Sequence, residues 1–287
     1  MKIEQYHLHK EHPEKLQFQI YDLESYLKES GVHAQKPHSH SFYQIIWIYN
    51  QGGVHYVDFD AFKVENQTVL FVSKNQIHYF DKEASHEGVI IHFNESFLSQ
   101  SDIDIFLKYN VFNNISRPFQ YLNQNTIELA TTYHDLIKDE FSKHNAFGYQ
   151  EVIRYLLKSL LIVFERAHTD VEKISEAHNS QYKLMFLRFK ELIEMHYQEH
   201  YSVKDYARVL NMSSKTLSVL TKEISNKTPS VLISERLILE AERLLAFTSL
   251  QVNEIAYRLG FEDASYFIKY FKRHLKKSPK VYREMRL

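Results

Sequence analysis

Val252–Arg283 reads VNEIAYRLGFEDASYFIKYFKRHLKKSPKVYR, and its apolar spacing decides the fold of the C-terminal third. Ile255, Ala256 and Leu259 share one side of a short helix over Val252–Leu259. Gly260-Phe261 supplies a tight turn, because glycine accepts the positive φ that a sharp reversal demands. Asp263 then caps a second helix, Ala264–Leu275, which buries Phe267 and Phe271. The same plan recurs upstream. Ser202 caps Val203–Leu210, with Tyr206, Ala207 and Leu210 inward. Asn211-Met212 turns the chain, and Ser213 caps a helix to about Ile224 with Leu217 and Leu220 inward. Ala207 and Ala256 occupy matching places, where two steeply crossing helices come close. Each unit is a helix-turn-helix pattern. Between them Thr228-Pro229 opens a long helix to about Ala246, a cap residue followed by proline at the first helical position. Leu232, Leu237, Ala241, Leu244 and Leu245 are expected to pack on both units, with Arg236, Glu240 and Arg243 on a wet outer face. If this rigid connector spaces the two second helices near one DNA turn, about 34 Å, both enter successive major grooves on one face of the duplex.

Charge divides the chain in the same place. The 287 residues carry 35 Lys+Arg against 36 Asp+Glu. From Lys183 to Leu287, however, 19 basic residues face 12 acidic ones, a balance of +7 that leaves −8 for residues 1–182. A basic C-terminal third on an acidic remainder points to a polyanion at one end only. The chain has no cysteine, which excludes disulfide scaffolds, thiol nucleophiles and iron–sulfur clusters. Apolar stretches such as Ile45–Tyr49 and Leu160–Phe164 fall far short of a membrane span. The first residues lack an apolar signal region, so a cytoplasmic protein with no membrane partner is expected. No nucleophile motif or phosphate loop appears, and neither an enzymatic step nor a cofactor is expected.

The N-terminal part reads as short strands separated by turn residues: Leu16–Tyr21, Tyr43–Tyr49, Val54–Phe59, Thr68–Val72, Ile77–Phe80 and Val89–Phe93. That spacing argues for an antiparallel sandwich or barrel. Asn125–Lys143 and Gly148–Ala167 carry helical spacing and form a hairpin. Leu157 and Leu161 give the second helix apolar surface beyond what one partner needs, predicting a homodimer contact. Residues 168–181 are polar and aperiodic, as in a linker. The expected fold class is multidomain α+β. A barrel over 1–100, a helical dimerisation segment over 101–167 and the linker precede an all-α tandem helix-turn-helix domain over 182–287.

Ser265-Tyr266-Phe267, Phe271-Lys272-Arg273, Ser278-Pro279 and Tyr282-Arg283, following Ile255-Ala256 and Gly260-Phe261, closely resemble the signature of the AraC/XylS regulators. Ser213, Leu217, Arg236-Leu237 and Ala241–Leu245 fit the same pattern. The resemblance covers roughly residues 182–287. It implies a sequence-specific regulator that binds double-stranded DNA through both units, acts as a homodimer, answers to a small-molecule effector and meets RNA polymerase as a further partner. Asn226 and Lys276 stand where glycine is expected after each recognition helix, Val219 where a basic or polar residue often faces DNA, and Thr221 where Phe is usual. Base-reading side chains lie near the start of a recognition helix, opposite its core face. That singles out Lys215, Ser218 and Val219 in the first unit, and Ala264, Ser265, Ile268 and Lys269 in the second. Lys222, Lys272 and Arg273 lie farther along and suit phosphates.

His38-Ser39-His40, Gln44, Gly52 and His78 resemble the cupin metal constellation, with Gln44 where a carboxylate often stands. Even-numbered residues of one strand over 38–48 share a face, which would aim His38, His40 and Gln44 together into a barrel. Three readings stay open: an organic-effector pocket at His38, His40, Gln44 and His78; a zinc, iron or nickel site at His38, His40 and His78; or structural histidines only. Imidazoles near their ordinary pKa of about 6.5 would make an effector site pH-dependent. The competing function is a metal-dependent cupin enzyme fused to a DNA-binding domain, and a third is a regulator set by its amount or a protein partner.

Overall fold

Side-chain parity along Tyr43–Ile48 sets the layers of the N-terminal unit. A computed structural model describes residues 4–9, 12, 15–81, 85–98, 111–112, 118–169 and 180–286, in two compact units within 4–174 and 175–287. In the first, β1 (Glu4–Tyr6), β3 (His38–His40), β8 (His78–Phe80), β5 (Val54–Val57) and β6 (Asp60–Lys63) pair in that order as one sheet. The other sheet runs β10 (Phe119–Tyr121), β7 (Thr68–Val72), β4 (Tyr43–Ile48), β9 (Gly88–Phe93) and β2 (Phe18–Asp22). Ile46 and Ile48 of β4 pack with Leu70, Val72, Ile90 and, from the first sheet, Phe80. Ile45 and Trp47 point the other way, into a core shared with the helices α2 (Gln124–Phe141) and α3 (Tyr149–Thr169). The second sheet is therefore buried on both faces, by a sheet on one side and a helical hairpin on the other.

Three expectations need correction. The sheets do not close into a barrel, and the β1·β3 pair is parallel rather than antiparallel. Residues 38–48 are not one strand, because the chain leaves the first sheet after His40, bends at Ser41-Phe42 and enters the second sheet at Tyr43. Leu157 and Leu161 are not free for a partner: both are buried in the core between hairpin and sheet, at 0% and 1% exposure. The sequence also gives no sign of β1, β6, β10 or the helix α1 (Leu23–Ser30), whose Asp22 carboxylate accepts from the Ser25 amide. The expected linker overlaps the end of α3, and residues 170–179, like 101–110 of the expected dimerisation segment, lie outside the described residues.

Among its described residues the elements of the C-terminal unit are all helices: α4 (Ser180–His196), α5 (Val203–Val209), α6 (Ser214–Ser225), α7 (Pro229–Phe247), α8 (Val252–Arg258), α9 (Ala264–Leu275) and α10 (Pro279–Glu284). Leu232 and Ile233 of α7 join the core of the first helix-turn-helix with Tyr206, Ala207, Leu217 and Leu220. Leu237, Ala241, Leu244 and Leu245 join that of the second with Ile255, Ala256, Phe267 and Phe271. The connector thus serves both units, one half for each. Its outer face is drier than the pattern implies. The Arg236 guanidinium lies 4.1 Å over the Tyr197 ring and bonds Glu194 at 2.9 Å and Glu240 at 3.1 Å, while Arg243 is buried beside Glu240. The reason is α4, absent from the two-unit pattern, which supplies Glu194 and contributes Phe186, Phe189 and Ile193 to the first core.

Candidate functional site

The two recognition helices are held by local chemistry at both ends. The Ser213 hydroxyl accepts from the Thr216 amide at 3.0 Å, and the Asp263 carboxylate accepts from the Ser265 and Tyr266 amides. Each satisfies amides that a helix start leaves unpaired. Both helices end on a left-handed residue, Asn226 at φ 55° and Lys276 at φ 60°. With Leu217, Leu220, Phe267 and Phe271 buried, the opposite faces carry Lys215, Val219 and Lys222 on α6 and Ser265, Ile268, Lys269, Lys272 and Arg273 on α9, all exposed. Ser218 is half-buried, and its hydroxyl donates to the Ser214 carbonyl at 2.8 Å. Tyr266 is a further exposed group on α9, near the start of the helix. The turn of the second unit is locked as well. A Cβ on Gly260, at φ +83°, would meet the Gln198 carbonyl oxygen at 1.9 Å, and the His200 ring next to it bonds the Leu259 carbonyl at 3.0 Å.

In the N-terminal unit the register brings histidines together from both sheets. His38 of β3 lies opposite His78 of β8, and His55 and Val57 of β5 lie opposite Phe80 and His78. The rings of His38, His40 and His78 stand 4.4–4.9 Å apart between centroids, and one ring nitrogen from each falls within 4.8 Å of the others. Gln44 joins them only through an intermediary. It sits on β4 directly opposite His92 of β9, and its amide nitrogen lies 2.7 Å from the His92 ring, itself 6.0 Å from that of His40. His55, whose Nε2 lies 3.2 Å from His78 Nδ1, and His92 are the members that the sequence reading missed. The signal for His92 was parity: Ile90 and His92 face inward while Val89, Ile91 and Phe93 face the hairpin.

Burial governs the charge of this cluster. It pushes the imidazoles of His55 and His92 down to about 3, and those of His40 and His78 well below the ordinary histidine value, with neighbouring histidines adding to the effect. His38 is lowered too, by burial, against a bond to the Lys36 carbonyl that raises it. The expectation of imidazoles titrating near 6.5 is thereby corrected. These rings are neutral at neutral pH and carry lone pairs rather than charge.

Residues 206–285 match a family model described as a helix-turn-helix domain. The HTH-type transcriptional activator RhaS of Enterobacter sp. (strain 638) is 24% identical over 251 residues, covering 87% of either chain. The chain belongs to the AraC/XylS family of transcription regulators. Another relative of this AraC/XylS regulator, the uncharacterized HTH-type transcriptional regulator YdeC of Bacillus subtilis (strain 168), is 22% identical over 257 residues, 86% of either chain. Among solved structures, the C-terminal domain of the two-component response regulator yesN from Fusobacterium nucleatum is 31% identical, with a TM-score of 0.32, covering 33% of this chain and 94% of that one. As an AraC/XylS member the protein binds DNA and regulates transcription. Its relatives are regulators, so the reading as a fused enzyme falls. Among the described residues no helix is long and apolar enough to cross a membrane.

Proposed function

We propose that this cytoplasmic regulator reads paired operator half-sites as a homodimer, under the control of a small-molecule effector held in its N-terminal unit. The reading divides the chain into a sensor over 1–100, a dimerisation segment over 101–167, a linker over 168–181 and a DNA-binding domain over 182–287. RNA polymerase is the expected partner at the promoter. The observation that carries the DNA reading is the pair of recognition helices, each capped at its start and exposing Lys215 or Ser265 there, with Lys222, Lys269, Lys272 and Arg273 farther along. Lys215, Ser218, Ser265 and Lys269 read bases, and Lys222, Lys272 and Arg273 hold phosphates. The effector site is assigned to His38, His40, Gln44 and His78, a buried polar cluster with His55 and His92 beside it and apolar Ile46, Ile48 and Phe80 nearby.

Salt dependence tests the DNA assignment. Each phosphate contact releases counterions, so affinity falls with salt, with a slope of about −0.9 per contact on duplex DNA. Lys272→Ala in the full chain is expected to flatten that slope by about one contact and to weaken binding to all sequences alike. Lys215→Ala and Lys269→Ala are expected to relax preference at particular base pairs, measured by anisotropy on an operator and its single-base variants. Identical behaviour of all three variants would refute the division into reading and positioning residues.

The dimer is assigned to the outer face of α3. Val152 and Tyr155 are exposed there and Ser159 and Ile162 half-buried, a 3-4-3 spacing that suits helix-on-helix packing against a second copy. Leu129 and Leu136 add exposed apolar groups seven residues apart on α2.

A further inference from the structure

Buried imidazoles normally find a hydrogen-bond partner, and those that do not call for an explanation. Both ring nitrogens of His40 and Nε2 of His78 are buried without one. The neighbouring groups leave a basic ring nitrogen on His38 and on His78, whose rings both stand 4.9 Å from that of His40. His38 Nδ1 lies 2.8 Å from the Lys36 carbonyl, which can only accept, so that nitrogen donates and Nε2 keeps its lone pair. His78 Nδ1 is 3.2 Å from His55 Nε2, and a proton on His78 Nδ1 leaves its unpartnered Nε2 basic. A backbone carbonyl or another polar group holding the far ring nitrogen is the arrangement that orients metal-ligating histidines.

We propose that His38, His40 and His78 form a binding site for one divalent d-block cation of the zinc type, and that this ion is the ligand, or the anchor of the ligand, sensed by the N-terminal unit. The inference rests on the sensor reading above and narrows its ligand class. Three neutral nitrogen donors with no carboxylate among them select zinc, nickel, cobalt or copper over magnesium and calcium, which take oxygen. The fit is close in size. Zinc–nitrogen bonds of about 2.0–2.1 Å in a tetrahedral site place ligand nitrogens about 3.4 Å apart. The three candidate nitrogens lie within 4.8 Å of one another, so modest side-chain rotation closes the site. Three protein ligands leave a fourth position for water or an anionic group. Gln44 is tied to His92 and is not needed as a ligand.

The test uses the untagged full chain, dialysed against a weak chelator and then titrated with zinc and with cobalt. Expected are one ion per chain by elemental analysis, visible cobalt bands of tetrahedral intensity, and three imidazole nitrogens in the zinc X-ray absorption spectrum. His40→Ala and His78→Ala should abolish stoichiometric binding, and His55→Ala, which removes an orienting group, should weaken it about 10–100-fold. The absorption measurements on the unaltered chain decide the matter even if a variant fails to fold. Absence of a retained ion, or an ion whose shell is not three imidazoles, overturns the site. A thermal shift with an organic metabolite that needs His40 but no metal would overturn the metal while leaving the sensor reading intact. Failure of the full chain to bind duplex DNA would instead strike the regulator reading.

Discussion

Lys276 pays for a left-handed turn that glycine makes without strain. Its φ of 60° ends α9, where its amide donates to the Lys272 carbonyl at 2.8 Å and its ammonium reaches the Arg273 carbonyl at 3.0 Å. A side chain in that conformation costs roughly 1–2 kcal/mol, against about 0.5–1 kcal/mol for the extra unfolded-state freedom of glycine. Lys276→Gly is therefore expected to stabilise the C-terminal unit by about 0.5–1 kcal/mol, read as a higher denaturation midpoint at unchanged slope. Gly260→Ala should do the reverse, by roughly 2–4 kcal/mol, because its Cβ would overlap a backbone carbonyl that no rotamer can move. Unchanged midpoints in both would show that neither turn constrains the fold. Such positions were legible in the sequence because a cap or turn depends on a few adjacent residues: Ser213, Asp263, Asn226 and Gly260 all do what their types dictate. His55 and His92 were not, since their roles depend on pairings 23 and 48 residues away.

At the scale of elements, the helix α3 shows what periodicity leaves undecided. Apolar residues surround much of it, and spacing alone does not say which stripe meets its own sheet. The structure gives that role to Ile153, Leu157, Leu160, Leu161 and Phe164, leaving Val152 and Tyr155 outward. Leu157→Ala should cost about 2–5 kcal/mol as a core truncation and leave the association state of the folded fraction alone. Tyr155→Asp should leave the melting transition of the monomer near its original place and shift sedimentation from dimer to monomer. A dimeric Tyr155→Asp protein would move the contact off this face. The same limit explains the strand over 38–48. Alternation alone cannot show that a bend at Ser41-Phe42 sends its two halves to different sheets, and with that bend the expected barrel opens into two layers.

For the whole molecule, the recognition helices and the buried histidine cluster lie in separate compact units, so under the proposed reading a change in one alters regulation without altering base contacts. A ligand shifts an equilibrium between dimer arrangements only by its difference in affinity for them, and a tenfold change in output needs about 1.4 kcal/mol of such difference. Under the proposed reading the buried histidines supply that difference, because the unpartnered nitrogens of His40 and His78 favour whichever arrangement lets a ligand satisfy them. Lys215, Lys269 and Lys272 lie in the other unit. His40→Ala and His78→Ala in the full chain are therefore expected to keep affinity for an isolated half-site within twofold and to lose the change in reporter output that the effector elicits in cells. Half-site affinity by anisotropy and reporter output, measured on the same variants, separate the two functions. Stable variants that regulate normally would make these histidines structural. Variants that lose half-site affinity together with the response would mean that the two units do not divide the work in this way.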